Sequence, residues 1–168
     1  EMDDISNLRK GKLVVGTLPI TGSHILPVVL PEFSRRHPGI EISLVEDTTA
    51  NLEQLTASGS VDLSLLTLPI QESSLEFIPL VTEEICLALP PSHPLAEERP
   101  PIPVRKLSNE PFIVLKKGQG FRQIAFDICR EAGFSPRVVF ESTNIETVQS
   151  LVAAGMGVAF IPKMVAES

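Results

Sequence analysis

The residues best suited to chemistry lie in short polar segments that follow apolar runs. The first is segment 16–23, Gly-Thr-Leu-Pro-Ile-Thr-Gly-Ser, directly after the apolar run 13–15. With Thr21 or Ser23 as the N-cap of a following helix, free N–H groups and hydroxyls converge there, and a carboxylate could bind to them. The same residues are also ordinary helix caps, and both interpretations stay open.

A second segment, 116–122, reads Lys-Lys-Gly-Gln-Gly-Phe-Arg and precedes another predicted helix. Its glycines, Gly118 and Gly120, and the side chains of Lys116 and Gln119 favour an anion at this turn. A dinucleotide fingerprint needs a third glycine, and position 123 is Gln. Solvated lysines beside a flexible turn are the alternative.

Further polar residues lie where predicted strands end or helices begin: Thr48, Thr67, Thr143 and Asn144. They line a binding site if their sheets face a common cleft, and Thr48 and Asn144 are also plain N-cap candidates. His24, His37 and His93 are scattered and match no metal-binding or catalytic spacing. The sequence therefore predicts no enzyme, no metal and no cofactor.

The apolar runs predict an α/β fold made of two similar halves. A βαβαβ order spans the first half, with strands at 12–16, 40–45 and 61–66, and it recurs in the second with strands at 112–115, 138–140 and 157–161. The residues 52, 55, 57, 59 and 65 match 148, 151, 153, 155 and 161, an offset of 96 from Gly59 to Gly155. Two α/β lobes with a ligand cleft between them follow from this pattern.

Composition limits the classes of partner. The net charge of −7 and the absence of Trp and Tyr argue against nucleic-acid binding by this chain itself. Its apolar runs are too short to cross a membrane, and no leader opens it. Cys86 and Cys129 sit in apolar runs and read as buried free thiols. We therefore expect a cytoplasmic protein.

Several segments in this order resemble the effector-binding domain of LysR-type transcriptional regulators. They are 11–16 (Gly-Lys-Leu-Val-Val-Gly), 25–27, 33–40 (Phe-Ser-Arg-Arg-His-Pro-Gly-Ile), 55–65, 92–96 (Ser-His-Pro-Leu-Ala) and 148–162, which ends Ala-Ala-Gly-Met-Gly-Val-Ala-Phe-Ile-Pro. The resemblance implies two Rossmann-like lobes with a hinge, the type II periplasmic-binding-protein fold. It places effector contacts at Pro19, Ile20, Thr21, Gly22, Ser23, Thr48, Thr67, Lys116, Gly118, Gln119, Gly120, Ser142, Thr143 and Asn144.

The resemblance also implies an organisation. Residues 1–11 would end a linker from a winged helix-turn-helix that binds DNA, 12–83 form lobe I, 84–162 form lobe II, and 163–168 begin a return to lobe I. The C-terminus is expected to be truncated, which exposes an edge of lobe I. Family members pair through helices like those at 26–36 and 122–132, so we expect a homodimer here and a tetramer of full-length protein.

The expected function is to bind a small effector, a carboxylate by preference, between the lobes and so alter DNA binding by the helix-turn-helix. A solute-binding protein of a transport system, built on the same fold, is the alternative.

Overall fold

The computed structural model describes residues 11–168, and the chain divides into two compact units. The first unit ends at Pro79, and the second runs from Leu80 to Ser168. The predicted linker, 1–11, lies outside the described residues except for Gly11, which begins the first strand.

A three-stranded parallel sheet forms the centre of unit 1. Its strands are β1 (Gly11–Thr17), β2 (Ile40–Glu46) and β3 (Leu63–Leu65), in the order β2-β1-β3. In the central strand, the apolar run around Val15 packs into the core, where Val15 is 4% exposed. The predicted βαβαβ order of this half is confirmed, although β3 is shorter than the predicted strand at 61–66.

Three helices accompany this sheet: α1 (Pro19–His24), α2 (Leu26–Arg36) and α3 (Thr49–Ala57). The prediction of one helix capped by Thr21 or Ser23 is wrong. Helix α1 begins at Pro19, which suits a first helical position because proline lacks the N–H that would have no partner there. Ser23 therefore lies inside α1, and its hydroxyl donates back to the Pro19 carbonyl at 3.1 Å.

Unit 2 contains the strands β4 (Ile85–Ala88), β5 (Pro111–Leu115), β6 (Arg137–Ser142) and β7 (Ala159–Pro162). Strands β5 and β6 are parallel, and Phe112 forms a parallel bridge with Val158 just before β7. Strand β5 is thus central, as β1 is in unit 1. Unit 2 also contains an antiparallel pair, β4 with β7. The sequence analysis did not predict this pair.

The helices of unit 2 are α4 (Gly120–Glu131), α5 (Ile145–Ala153) and α6 (Lys163–Ala166). Helices α3 and α5 match at the predicted offset of 96 at both ends, and so do their N-caps, Thr48 and Asn144. After each helix comes a glycine in the left-handed region, Gly59 with φ +84° and Gly155 with φ +83°. The internal repeat read from the sequence is thus a repeat of structure.

The core of unit 2 surrounds Phe112, which is 1% exposed. Two 3₁₀ helices, Pro94–Glu97 and Val104–Leu107, each add one buried leucine to the core cluster, Leu95 and Leu107. This cluster holds β5 and α4 together and so fixes the turn that joins them. Within residues 11–168, no helix has the length and hydropathy that a membrane crossing requires.

Candidate functional site

In unit 1 the carboxyl ends of the three strands lie level with one another. Thr17 is opposite Glu46 on one side and Leu65 on the other. Each predicted contact segment of this unit follows one of these ends: 19–23 forms most of α1, Thr48 caps α3, and Thr67 comes two residues after β3. The structure therefore brings these predicted residues to one edge of one sheet.

Helix α1 presents a single available hydroxyl at this edge. Thr21 is 7% exposed, and none of the side-chain hydrogen bonds within residues 11–168 uses its hydroxyl. The Ser23 hydroxyl, in contrast, bonds with the carbonyls of Pro19 and Ile20. At Gly22 a Cβ would lie 3.0 Å from Glu46 Oε2, so glycine lets the helix approach the end of β2. Thr21 is the side chain of α1 best placed to contact a ligand.

The start of α3 is occupied by the chain's own carboxylate. Asp47 Oδ1 accepts the Thr48 N–H at 2.7 Å and the Asn51 side-chain amide at 2.8 Å, and these two hydrogen bonds lower the pKa of Asp47, the one with Asn51 more. Asp47 therefore stays ionised near neutral pH, beside Glu46 at the end of β2. The edge of the unit 1 sheet therefore carries two acidic side chains close to the segment 16–23, and carboxylate binding at that segment stays a prediction.

The predicted turn of unit 2 joins β5 to α4. Lys116 N–H donates to the Ser142 carbonyl at 2.9 Å, so the turn starts level with the end of β6. Gly118 has φ +93°, a conformation that favours glycine, and Gln119 N–H closes the turn on the Lys116 carbonyl at 3.2 Å. The residues Lys116, Gly118, Gln119 and Gly120 thus form one tight turn, as the sequence predicted.

The positive charges of this turn fall into two groups. Arg122 is held within the structure: its guanidinium donates to the Leu115 carbonyl at 2.8 Å, pairs with Glu141, and lies 4.6 Å from the centre of the Phe126 ring. Lys116 and Lys117 are exposed, and no ion pair within residues 11–168 includes them. No side chain caps the first N–H groups of α4.

The polar residues at the end of β6 make hydrogen bonds within the local backbone. Asn144 caps α5 by accepting the Glu146 N–H at 2.8 Å, and the Ser142 hydroxyl accepts the Asn144 N–H at 3.1 Å. With Thr143 between them, these three predicted residues lie beside the Lys116 turn at the carboxyl edge of β5 and β6. The cap interpretation of Asn144 is therefore correct, and the side chain remains at the site.

Next to this turn, a groove of about 370 Å³ runs along α4. One of its lining residues is Phe126, whose ring the Arg122 guanidinium covers. The residues lining it are Lys117, Gly118, Gln119, Arg122, Gln123, Phe126 and Arg130. Within residues 11–168, no three His, Cys, Asp or Glu side chains are grouped so as to hold a metal ion.

Comparison with known proteins identifies the family. A sequence model described as the LysR substrate binding domain matches residues 6–168. The chain belongs to the LysR family of transcriptional regulators. LysR proteins are regulators and not enzymes, in agreement with the absence of a catalytic motif. An uncharacterised HTH-type transcriptional regulator of Bacillus subtilis, YcgK, is 40% identical over 98% of this chain and 56% of its own length.

Solved LysR structures agree with the two-lobed, type II periplasmic-binding-like fold. The C-terminal domain of a probable LysR regulator from Rhodococcus is 32% identical, with a TM-score of 0.84, over 90% of this chain and 74% of that one. The CcmR regulatory domain of Synechocystis, solved in complex with 2-PG, is 26% identical, with a TM-score of 0.84, over 95% and 76%. The chain spans about half the length of the curated relatives it matches.

The sequence analysis named neither Glu46 nor Asp47 as a site residue. The only signal was that both follow directly after a predicted strand. It also missed Glu53, which is 4% exposed on α3. A lone Glu beside Leu52 reads as a surface residue, so the sequence offered no signal for it.

The two cysteines of this LysR domain differ in reactivity. Both are free; Cys129 is 0% exposed in the unit 2 core, whereas Cys86 is half-buried. Burial raises the pKa of Cys129 to about 11, so its thiol is protonated at any pH well below that value and is a poor nucleophile.

We expect a thiol-specific disulfide reagent at pH 8 to leave Cys129 unmodified in the native Cys86→Ala variant. Adding denaturant should expose the thiol and release one equivalent of the coloured product. The measurement is the absorbance time course, with Cys129→Ser as the control that leaves Cys86 as the reactive thiol. Native labelling of Cys129 at the rate of a free cysteine would contradict the burial seen here.

Proposed function

We propose that this chain is the effector-sensing domain of a LysR regulator and that it binds a small anionic effector, a carboxylate by preference. The observation that carries the proposal is the turn at 116–120, where two exposed lysines, outside every ion pair that residues 11–168 form, precede the start of α4, which no side chain caps. Helix α4 is 12 residues long, and its first N–H groups and dipole favour a negative charge. Charge-assisted hydrogen bonds from Lys116 add to this attraction.

A second group of predicted contacts lies at the edge of the unit 1 sheet. At that edge Thr21, Thr48 and Thr67 offer hydroxyls. In unit 2, further polar groups beside the lysine turn belong to Ser142, Thr143 and Asn144. Since Glu46 and Asp47 are acidic side chains at the unit 1 edge, we place the effector's anionic group at the Lys116 turn of unit 2. The predicted contacts at Pro19, Ile20, Gly22 and Ser23 then act through α1 as backbone and packing neighbours.

A bound effector acts by shifting an equilibrium between arrangements of the regulator. A ratio of about 100 between its affinities for two arrangements shifts that equilibrium by about 2.7 kcal/mol. In the full-length protein this shift changes how a helix-turn-helix, of the kind that the name of YcgK records, binds DNA in the cytoplasm. Membership in a family of regulators favours this function over transport.

We further propose that the domain pairs with a second copy through α2 and α4, and that the full-length protein forms tetramers. Val28 and Val29 are 76% and 51% exposed on α2, and Phe126 is among the residues that line the groove on α4. Exposed apolar side chains on one helix and an aromatic groove on the other are complementary surfaces.

The test is a thermal-shift screen of malonate, succinate, citrate and 2-PG. At about 100 times its dissociation constant a bound acid stabilises the native state by about 2.7 kcal/mol, which raises Tm by several degrees. Lys116→Ala should weaken binding about 10- to 150-fold, because a hydrogen bond to a charged group contributes about 1.5–3 kcal/mol. Thr21→Val should weaken it a few-fold.

The matched control is Lys12→Ala. Lys12 is an exposed lysine near the amino end of β1, at the opposite end of the strand from the proposed site. It should leave the shift unchanged. Equal stabilisation of wild type and Lys116→Ala would move the anion site elsewhere, and no shift with any acid would argue against an anionic effector.

A further inference from the structure

Glu53 is the one charged side chain that residues 11–168 bury, at 4% exposed. No ion pair within the described residues includes it. Its partners are two backbone amides: Gln71 N–H, 3.1 Å from Oε1 and 3.3 Å from Oε2, and Glu72 N–H, 2.8 Å from Oε1. A buried carboxylate is costly unless it is hydrogen-bonded, so the carboxylate and these two amides depend on each other.

The segment 67–72 makes few other hydrogen bonds. It belongs to no helix or strand, and within the described residues its only hydrogen bonds to the rest of unit 1 are those to Glu53. Its remaining bonds are local: Glu72 accepts from Leu75 N–H and from Ser74. Glu53 therefore fixes the end of this segment, at Gln71 and Glu72.

Glu53 also belongs to the element that carries a second predicted contact. Helix α3 starts from Thr48, which caps it by accepting the Asn51 N–H at 3.4 Å, and Glu53 lies on the second turn. A rigid helix thus connects the Thr48 end of the site to the carboxylate that holds the Thr67 segment. Within the described residues, the Glu53 carboxylate makes the only side-chain hydrogen bonds between α3 and the segment 67–72.

We infer that Glu53 is a positioning residue for effector binding. By holding the amides of Gln71 and Glu72, it fixes the segment 67–72 relative to α3. The proposed contacts of unit 1 are thereby in place before the effector binds. This inference rests on the proposed function. Glu53 does not touch the effector. It removes the conformational freedom that the segment would otherwise lose on binding, which is how a pre-organised site gains affinity.

Amide hydrogen exchange, followed residue by residue by NMR, tests without any effector whether Glu53 holds the Gln71 and Glu72 amides. In the wild type, Gln71 and Glu72 should be protected although they lie outside regular structure. In Glu53→Gln both should exchange at least about tenfold faster, because the amide side chain offers one acceptor and turns an N–H donor toward N–H groups. The amide of Val15, in the central strand, should keep its rate.

The matched control is Gln54→Glu, which changes an exposed neighbour on the same helix. It should leave all these rates as in the wild type. Where Glu53→Gln does not fold, Glu53→Asp keeps the charge and shortens the side chain, and it should speed exchange at the same two amides. Absence of protection at Gln71 and Glu72 in the wild type overturns the inference, as does acceleration of Val15 equal to theirs.

Binding gives the second readout, with whichever of malonate, succinate, citrate or 2-PG stabilises the wild type most. Glu53→Gln should raise its Kd about tenfold while Val15 stays protected. Faster exchange at Gln71 and Glu72 with an unchanged Kd overturns the positioning role. If none of the four acids binds the wild type, the anionic effector is wrong, and the exchange rates alone then decide whether Glu53 holds the segment.

Discussion

Replacing Phe112 by alanine is expected to destabilise unit 2 by about 3–5 kcal/mol, the cost of emptying a buried aromatic site. Phe112 is 1% exposed, and its ring lies 5.8 Å from that of Phe160 and 6.3 Å from that of Phe134, measured between ring centres. The same cluster holds Cys129. A loss of this size is a large part of the 5–15 kcal/mol that stabilises an ordinary domain.

Urea unfolding followed by circular dichroism measures this change. Phe77→Ala is the matched control, because it makes the same deletion at a side chain that is 58% exposed, where the expected change is within about 0.5 kcal/mol. In Phe112→Ala the Cys129 thiol should also become open to labelling, since the cavity lies against it. Equal stabilities of the two alanine variants would show that the aromatic cluster is not the core of unit 2.

The repeat and the two sheets could be predicted because they depend on local patterns. Apolar runs ended by glycine mark buried strands, and the shared spacing around Gly59 and Gly155 marks the same helix stop twice. The antiparallel pairing of β4 with β7 could not be predicted in this way. It joins segments more than 70 residues apart, and a short apolar run does not state which partner it pairs with.

Helix α1 shows where local propensity misleads. The sequence Pro-Ile-Thr-Gly-Ser-His contains weak helix formers, so the sequence analysis started the helix later. In the structure, burial of Ile20 and Thr21, each 7% exposed, and the close approach at Gly22 outweigh that propensity. Tertiary packing therefore determines where helix α1 begins.

The candidate site, too, could be predicted only in part from the sequence. Its residues follow strand ends, which the sequence reveals, so Thr48, Thr67 and the Lys116 turn were placed at the correct sheet edges. The charge balance of each edge was not foreseen, because the role of Asp47 depends on its contacts with Thr48 and Asn51. Glu53 was missed for a similar reason: its burial is a property of the packed loop and not of helix α3.

The second prediction with a large effect concerns the proposed dimer: Val28→Lys should prevent its formation. Val28 is 76% exposed, so the monomer should keep its stability within about 0.5 kcal/mol. In the dimer, the new ammonium group would face a groove that contains Lys117, Arg122 and Arg130. Interface positions of this kind cost 2 kcal/mol or more when disrupted, which raises the dimer dissociation constant at least about 30-fold.

The sign of the charge makes the prediction specific to this groove. Val28→Glu places a carboxylate near Lys117, which forms no ion pair within the described residues, whereas Arg122 and Arg130 pair with Glu141 and Asp127. The glutamate variant should therefore weaken the dimer less than Val28→Lys does, although both bury a charge at one position. Ser34→Lys, on the exposed surface of the same helix, controls for net charge. Sedimentation equilibrium measures the association constants. Equal weakening by the lysine and glutamate variants would mean that Val28 meets a different surface, and no weakening by either would place the dimer contact away from α2.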